Sequence, residues 1–145
     1  KSVYAYSMTS LAKIETEDTA VVLLKFNNGA LGIIEATTAT RPKDLEGSIS
    51  ILGEGGSVVI EGFAVNKIKT WEFQKTIPLD KIIKKKYSTN PINVYGFGHE
   101  EFYNSVIKSI VTNKNQSISG EEGIRTVKII NAIYKSVKTK KEIII

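Results

Sequence analysis

The sequence of 145 residues contains no cysteine, one histidine and one tryptophan. The lack of cysteine excludes disulfides and thiolate zinc sites, and it argues against a secreted disulfide scaffold or a thiol redox role. Metal binding has little support, because His99 stands alone and the acidic pairs fall where helices are predicted to begin. We therefore expect a protein of a reducing, cytoplasmic compartment with no metal site.

Long hydrophobic runs are also missing. No apolar stretch has the length of a membrane span, and the first residues lack the layout of a signal peptide. We therefore expect no membrane partner. The chain opens on Lys1 without a methionine and enters a predicted strand at once, so we expect it to be a piece cut from a longer protein.

The net charge of +5 does not indicate a nucleic-acid partner, because the lysines are spread over the chain. The densest group falls in the predicted connection between the last strand and the first helix: Lys81, Lys84, Lys85 and Lys86. A solvated lysine-rich surface explains this pattern better than a nucleic-acid site does.

Strand patterns dominate the chain before residue 90. Thr19–Phe26 is rich in branched residues, and Asn27-Asn28-Gly29 after it is typical of a tight hairpin turn. The second arm, 30–40, ends at Arg41-Pro42, where proline removes a ladder donor. Further strands are predicted at 45–52, 57–61, 65–73 and, as an edge strand or a segment under the helices, at 142–145.

Two amphipathic helices follow. The first is predicted over 98–112, where apolar residues recur at three- and four-residue steps. The second begins at a capping box formed by Ser119 and Glu122. Its predicted buried face comprises Ile124, Val127, Ile130, Ile133, Tyr134 and Val137.

Strands followed by helices predict an α+β fold, an open and mostly antiparallel sheet of about six strands with two C-terminal helices packed on one face. The whole of 1–145 is predicted to be one domain. Because neither face of 65–73 is wholly apolar, we expect the sheet to be open to a partner. This predicts a homo-oligomer formed through Val65, Ile68, Trp71 or their neighbours.

Glycine-rich segments do not indicate a cofactor site. Gly53–Gly56 lies between two predicted strands, whereas a dinucleotide or phosphate loop leads from a strand into a helix. We therefore interpret it as a turn. The residues 95–98 do precede a helix, so an anion at that helix start is physically reasonable, although the motif is weak.

Histidine is the residue type whose ordinary pKa lies nearest neutral pH, and the one histidine of the chain, His99, stands where a loop becomes a helix. It can bond to nearby backbone, contact a ligand or act in catalysis, and the structural reading is favoured over catalysis. Around it, Asn93 and Tyr95 offer polar groups, and Arg41 with Lys43 can face a phosphate or carboxylate. These five residues form the predicted substrate-binding rim.

The chain resembles the C-terminal domain of the Gfo/Idh/MocA family of NAD(P)-dependent oxidoreductases. The resemblance spans nearly the whole sequence and rests on three segments in order: EDTAVVLLKFNNGALGIIEATTAT, SISILGEGGSVVIEG, and GHEEFYNSVIKSI with SGEEGIRTVKIINAIYKSVKTKKEI. RPKDLEGSI and NVYGFGHEEFY look most like the branch acting on nucleotide-activated sugars, notably UDP-N-acetylhexosamine or hexosaminuronate 3-dehydrogenases.

The resemblance implies a longer enzyme, with an N-terminal Rossmann domain that binds NAD or NADP and is absent from this sequence. This chain would supply the substrate-binding and oligomerisation domain, bind no cofactor itself and be inactive alone. The family's catalytic elements, a lysine in a Glu-Lys-Pro motif and a downstream Asp/His pair, have no counterpart here, so no catalytic residue is assigned. The alternative is a non-catalytic protein-interaction module that assembles through its sheet.

Overall fold

The computed structural model describes residues 1–89, 91, 93, 95–96, 98–114 and 119–145. These residues form seven strands and three helices. The strands are β1 (Ser2–Met8), β2 (Thr19–Lys25), β3 (Leu31–Thr37), β4 (Ile49–Gly53), β5 (Gly56–Glu61), β6 (Lys67–Phe73) and β7 (Ile143–Ile144). The helices are α1 (Asp80–Lys86), α2 (Gly98–Thr112) and α3 (Gly120–Thr139).

The α+β fold with open antiparallel sheets is confirmed, with the strands divided between two sheets. The chain forms two compact units, one of Lys1–Pro42 with Asn115–Ile145 and one of Lys43–Lys114. The first holds a four-stranded sheet of order β3-β2-β1-β7, and the second a three-stranded sheet of order β4-β5-β6. Of the two helices predicted to share one sheet face, α3 packs on the first sheet and α2 belongs to the second unit.

The core of the first unit lies between its sheet and α3. Val3 pairs with Leu24 across β1 and β2, and Val22 pairs with Ile34 across β2 and β3, so these side chains share one face. The fully enclosed apolar residues are Val3, Ala5, Val22 and Ala132, and packed against them are Leu24, Ile129, Ile133, Val137 and Ile143. The predicted edge strand at the C-terminus is confirmed as β7, which pairs with Ser2 and Val3.

The predicted buried face of α3 is wrong in part. Ile133 and Val137 do pack on the sheet, but Ile124, Val127, Ile130 and Tyr134 are about half exposed or more. The helix turns its small residues Ala132 and Ser136 to the sheet, which allows it to approach β1 closely. The Tyr134 hydroxyl instead donates to Glu17 Oε1 at 2.9 Å. The N-cap of α3 is as predicted, since Ser119 Oγ accepts from the Glu122 amide at 3.4 Å, while the Glu122 carboxylate pairs with Arg125.

The opposite face of the first sheet is strongly apolar, and no helix among the described residues packs on it. Alternation along β1, β2 and β3 places every second side chain there. The exposed large apolar residues of this surface, called here the open face, are Tyr6, Met8, Val21, Leu23, Leu31 and Ile33.

The second unit contains one helix that the sequence did not predict. The lysine-rich residues 81–86 do lie between β6 and α2, in the predicted connection, but they are helical and belong to α1. Asp80 holds the start of this helix, because its carboxylate accepts from the Trp71 indole at 2.9 Å and from the Ile77 amide at 2.7 Å. Both bonds lower the pKa of Asp80, the Ile77 amide contributing most.

Asp18 organises the loop between β1 and β2. It is only 2% exposed, and its Oδ2 accepts from the amides of Ser10, Leu11 and Ala12 at 2.9, 2.7 and 2.9 Å. The Ala12 amide, followed by that of Leu11, lowers the pKa of Asp18 to about 2. The charged carboxylate thus replaces water for three loop amides.

We expect Asp18→Asn to lower the free energy of unfolding at pH 7, because the variant loses the charge that these amides solvate. A pKa below the usual value of 3.8 means that the charge stabilises the fold above about pH 4, with the contribution lost as pH falls towards 2. Urea unfolding at pH 7, 4 and 2 should therefore show a difference between the two proteins that shrinks with acid. Equal stabilities at pH 7 would contradict this role.

Candidate ligand-binding site

The loop before α2 forms a compact turn around Asn93. The side-chain Oδ1 of Asn93 accepts from the Tyr95 amide at 3.0 Å, and its carbonyl accepts from the Gly96 amide at 3.3 Å. Gly96 has a φ of +64°, which a glycine adopts without strain. This turn leaves the Tyr95 side chain 72% exposed.

Tyr95 and His99 lie together at the start of α2. Their ring centroids are 6.0 Å apart with an interplanar angle of 77°, an edge-to-face arrangement. His99 is exposed in the first helical turn, and Glu100 and Glu101 after it complement the helix dipole. A phenol hydroxyl, an imidazole and an amide side chain are therefore presented from one short segment.

The two basic members of the predicted rim are placed differently. Arg41 belongs to the first unit, where it is exposed and its guanidinium donates to the Thr40 carbonyl at 2.7 Å. Lys43 is exposed at the start of the second unit. The structure thus brings together Asn93, Tyr95 and His99, while the part of Arg41 and Lys43 in one rim stays a prediction.

The β5–β6 turn beneath this segment was missed in the sequence. The sequence predicts a strand from Val65 onwards, but β6 begins at Lys67, and Val65 and Asn66 lie in the turn. The Val65 amide donates to the Gly62 carbonyl at 2.9 Å, and Asn66 Oδ1 accepts from the Ala64 amide at 3.2 Å. Gly62 and Asn66 are residues typical of turns, and they were the available signal.

The Gly53–Gly56 segment does not have the geometry of a loop that binds the pyrophosphate of a dinucleotide. Gly53–Gly56 joins the antiparallel strands β4 and β5, with Gly53 paired to Gly56, so the predicted turn is confirmed. A dinucleotide loop needs a strand that leads through glycines into a helix start. Within the ranges given above, no group of three or more His, Asp or Glu side chains is placed to hold a metal ion.

None of the helices in the described part of the chain is both long and apolar enough to cross a membrane.

Comparison with solved structures shows close similarity to two WlbA dehydrogenases. One, from Bordetella pertussis, was crystallised in complex with NADH and UDP-GlcNAcA and is 40% identical, with a TM-score of 0.90 over 98% of this chain. The other, from Chromobacterium violaceum with the same ligands, is also 40% identical, with a TM-score of 0.87 over 98% of this chain. The chain spans 41% and 39% of their lengths, respectively.

A more distant structure shows the fold alone. An NAD binding oxidoreductase from Klebsiella pneumoniae is 17% identical, with a TM-score of 0.75 over 98% of this chain and 44% of its own. The curated proteins contained no match to this sequence.

The sequence model of an oxidoreductase family's C-terminal alpha/beta domain matches residues 1–145. Together with the 40% identity to WlbA, this match confirms the resemblance drawn from the hairpin, the glycine turn and the helical pair. The chain belongs to the Gfo/Idh/MocA oxidoreductase family and corresponds to its C-terminal domain.

Proposed function

We propose that this chain is the substrate-binding and oligomerisation domain of an NAD(P)-dependent dehydrogenase acting on a UDP-activated amino sugar or uronate. The observation that carries the proposal is the 40% identity, over 98% of the chain, to dehydrogenases crystallised with NADH and UDP-GlcNAcA. The chain spans about two-fifths of those proteins, so the proposal assigns cofactor binding and hydride transfer to a further domain.

The chemistry of the described residues supports the substrate side of this division. Hydride transfer requires the reactive carbon of the nicotinamide to be held against the substrate carbon. The glycine turn of this chain is a hairpin, so it offers the cofactor no strand-to-helix phosphate loop. The exposed Tyr95 and His99 rings offer the face, edge and hydrogen-bonding groups that a sugar or a base can contact.

Titration of the chain with UDP-GlcNAcA tests the proposal. We expect heat on binding and chemical-shift changes centred on Tyr95 and His99. Tyr95→Phe should weaken binding about fivefold through loss of one hydrogen bond. Arg41→Ala should weaken it about tenfold or more if the guanidinium meets a phosphate or carboxylate.

The matched control is Tyr87→Phe, which removes a hydroxyl from another exposed tyrosine of the second unit. It should leave the affinity unchanged. The absence of both heat and chemical-shift changes at millimolar UDP-GlcNAcA would reject the sugar-binding role.

The second candidate function is a non-catalytic interaction module that assembles through its sheet. The apolar open face favours it, because a contiguous exposed apolar surface of this kind marks a contact with another protein. Binding of UDP-GlcNAcA distinguishes the two functions, since the module requires no sugar site.

A further inference from the structure

The turn between β5 and β6 combines two unfavourable features in neighbouring residues. Val65 has a φ of +51°, in the left-handed region that a β-branched side chain rarely adopts. Beside it, the Asn66 Nδ2 group is buried and has no hydrogen-bond partner among the described residues. Glycine at position 65 would adopt this φ without strain, so the presence of valine there suggests that the strained backbone has a role.

This turn lies between two segments that carry predicted ligand contacts of the second unit. The Ala64 Cβ is 3.9 Å from the place where a Cβ on Gly96 would stand, so the loop that carries Tyr95 passes directly over it. On the other side, Val65 Cγ2 is 3.0 Å from the place where a Cβ on Gly47 would stand. The backbone at Ala64 and Val65 therefore sets how closely both segments approach.

The turn is held by bonds within itself and by tight packing. Asn66 Oδ1 accepts from the Ala64 amide. The same oxygen lies close to Gly62, where an added Cβ would be only 2.7 Å from it, so a larger residue does not fit at position 62. Next to the turn, the Ile68 amide on β6 donates to Ser88 Oγ at 3.1 Å, which fastens the chain leading towards Asn93 to this edge.

We infer that the Gly62–Asn66 turn is a positioning element of the ligand site. The left-handed backbone of Val65 sets the position of Ala64 close to Gly96 and so places the Tyr95–His99 pair relative to the second sheet. The ligand part of this inference rests on the proposed function, whereas the placement of the two rings is a property of the free chain. Relaxing the turn must move the rings even where the fold stays stable.

The test is Val65→Gly in the 145-residue chain, followed by NMR of the Tyr95 and His99 rings. Glycine adopts a positive φ freely, so the unfolding midpoint should equal or exceed that of the wild type. The ring signals should shift and broaden, and the affinity for UDP-GlcNAcA should fall about fivefold or more, because a loosened site is less preorganised.

Two further variants separate positioning from packing. Asn113→Gly makes the same kind of change at another φ of +51°, roughly 21 Å along α2 from His99 at 1.5 Å per residue, and should change neither the ring signals nor the affinity. In Val65→Asn, the asparagine can adopt the left-handed backbone, so the ring signals and the affinity should stay as in the wild type.

Unchanged ring signals in Val65→Gly would overturn the inference, whatever the stability. Shifted rings with wild-type affinity for UDP-GlcNAcA would overturn the role in ligand binding. If the wild-type chain binds no UDP-GlcNAcA, the proposed function fails, while the ring signals of the free proteins still decide whether the turn positions Tyr95 and His99.

Discussion

Ser136→Ala should lower the free energy of unfolding by about 3 kcal/mol, because the buried Ala5 amide and the partly buried Lys141 carbonyl lose their partner at once. Ser136 is 0% exposed, and its Oγ accepts from the Ala5 amide at 3.0 Å and donates to the Lys141 carbonyl at 2.7 Å. β7 pairs only with Ser2 and Val3, so the Ala5 amide lies beyond the end of that ladder. The serine side chain completes the hydrogen bonding that the short edge strand leaves open.

Urea unfolding measures the loss, and hydrogen exchange at the Ala5 amide locates it. The matched control is Ser105→Ala, since Ser105 is an exposed serine of α2 and its replacement should change stability by less than about 0.5 kcal/mol. A Ser136→Ala variant within about 1 kcal/mol of the wild type would show that water or a shift of α3 satisfies the two groups.

The elements with strong local signals could be predicted from the sequence. The Asn-Gly turn gave the β2–β3 hairpin, and the apolar period gave α2 with its bounds. The orientation of α3 could not be predicted, because this helix has apolar residues on more than one side. The apolar period allows either Ile130 or Ile133 to face the sheet. Which of them does so depends on the close fit of Ser136 against Ala5.

The site could be predicted only where sequence neighbours form it. Tyr95 and His99 are four residues apart across a helix start, so their contact follows from local geometry. The turn beneath them could not be predicted, because a left-handed valine contradicts its own propensity, and the segments that lie close to Val65 and Ala64, at Gly47 and Gly96, are distant in the sequence. The α1 helix was missed for a similar reason, since Asp80 is fixed by Trp71 on another element.

The proposed oligomer is best assigned to the open face, not to the strand around Trp71 where the sequence placed it. On that strand, Ile68 and Trp71 are only partly exposed, and the indole already donates to Asp80. The open face exposes six large apolar side chains over three adjacent strands. It also carries Lys25 on β2 and Glu35 on β3, with Lys25 paired to Leu31, four residues from Glu35. A two-fold axis can therefore bring Lys25 of one copy next to Glu35 of the other, and the reverse.

Ile33→Lys should therefore convert the associated chain to a monomer. Ile33 is 74% exposed on β3, so the free unit accommodates lysine with little loss of stability. In a two-fold dimer the substitution occurs twice and would bury unpaired charges, which should raise the dissociation constant roughly a hundredfold or more. Sedimentation velocity over a concentration series measures the change.

Leu52→Lys is the matched control, since Leu52 is 80% exposed on β4 in the other sheet and its substitution should leave association intact. The two variants carry the same added charge on equally accessible strands, so nonspecific repulsion affects both alike. Dissociation by Leu52→Lys with association retained in Ile33→Lys would move the interface to the second sheet. A wild-type chain that stays monomeric at high concentration would remove the oligomerisation role, and the apolar open face would then require a different partner.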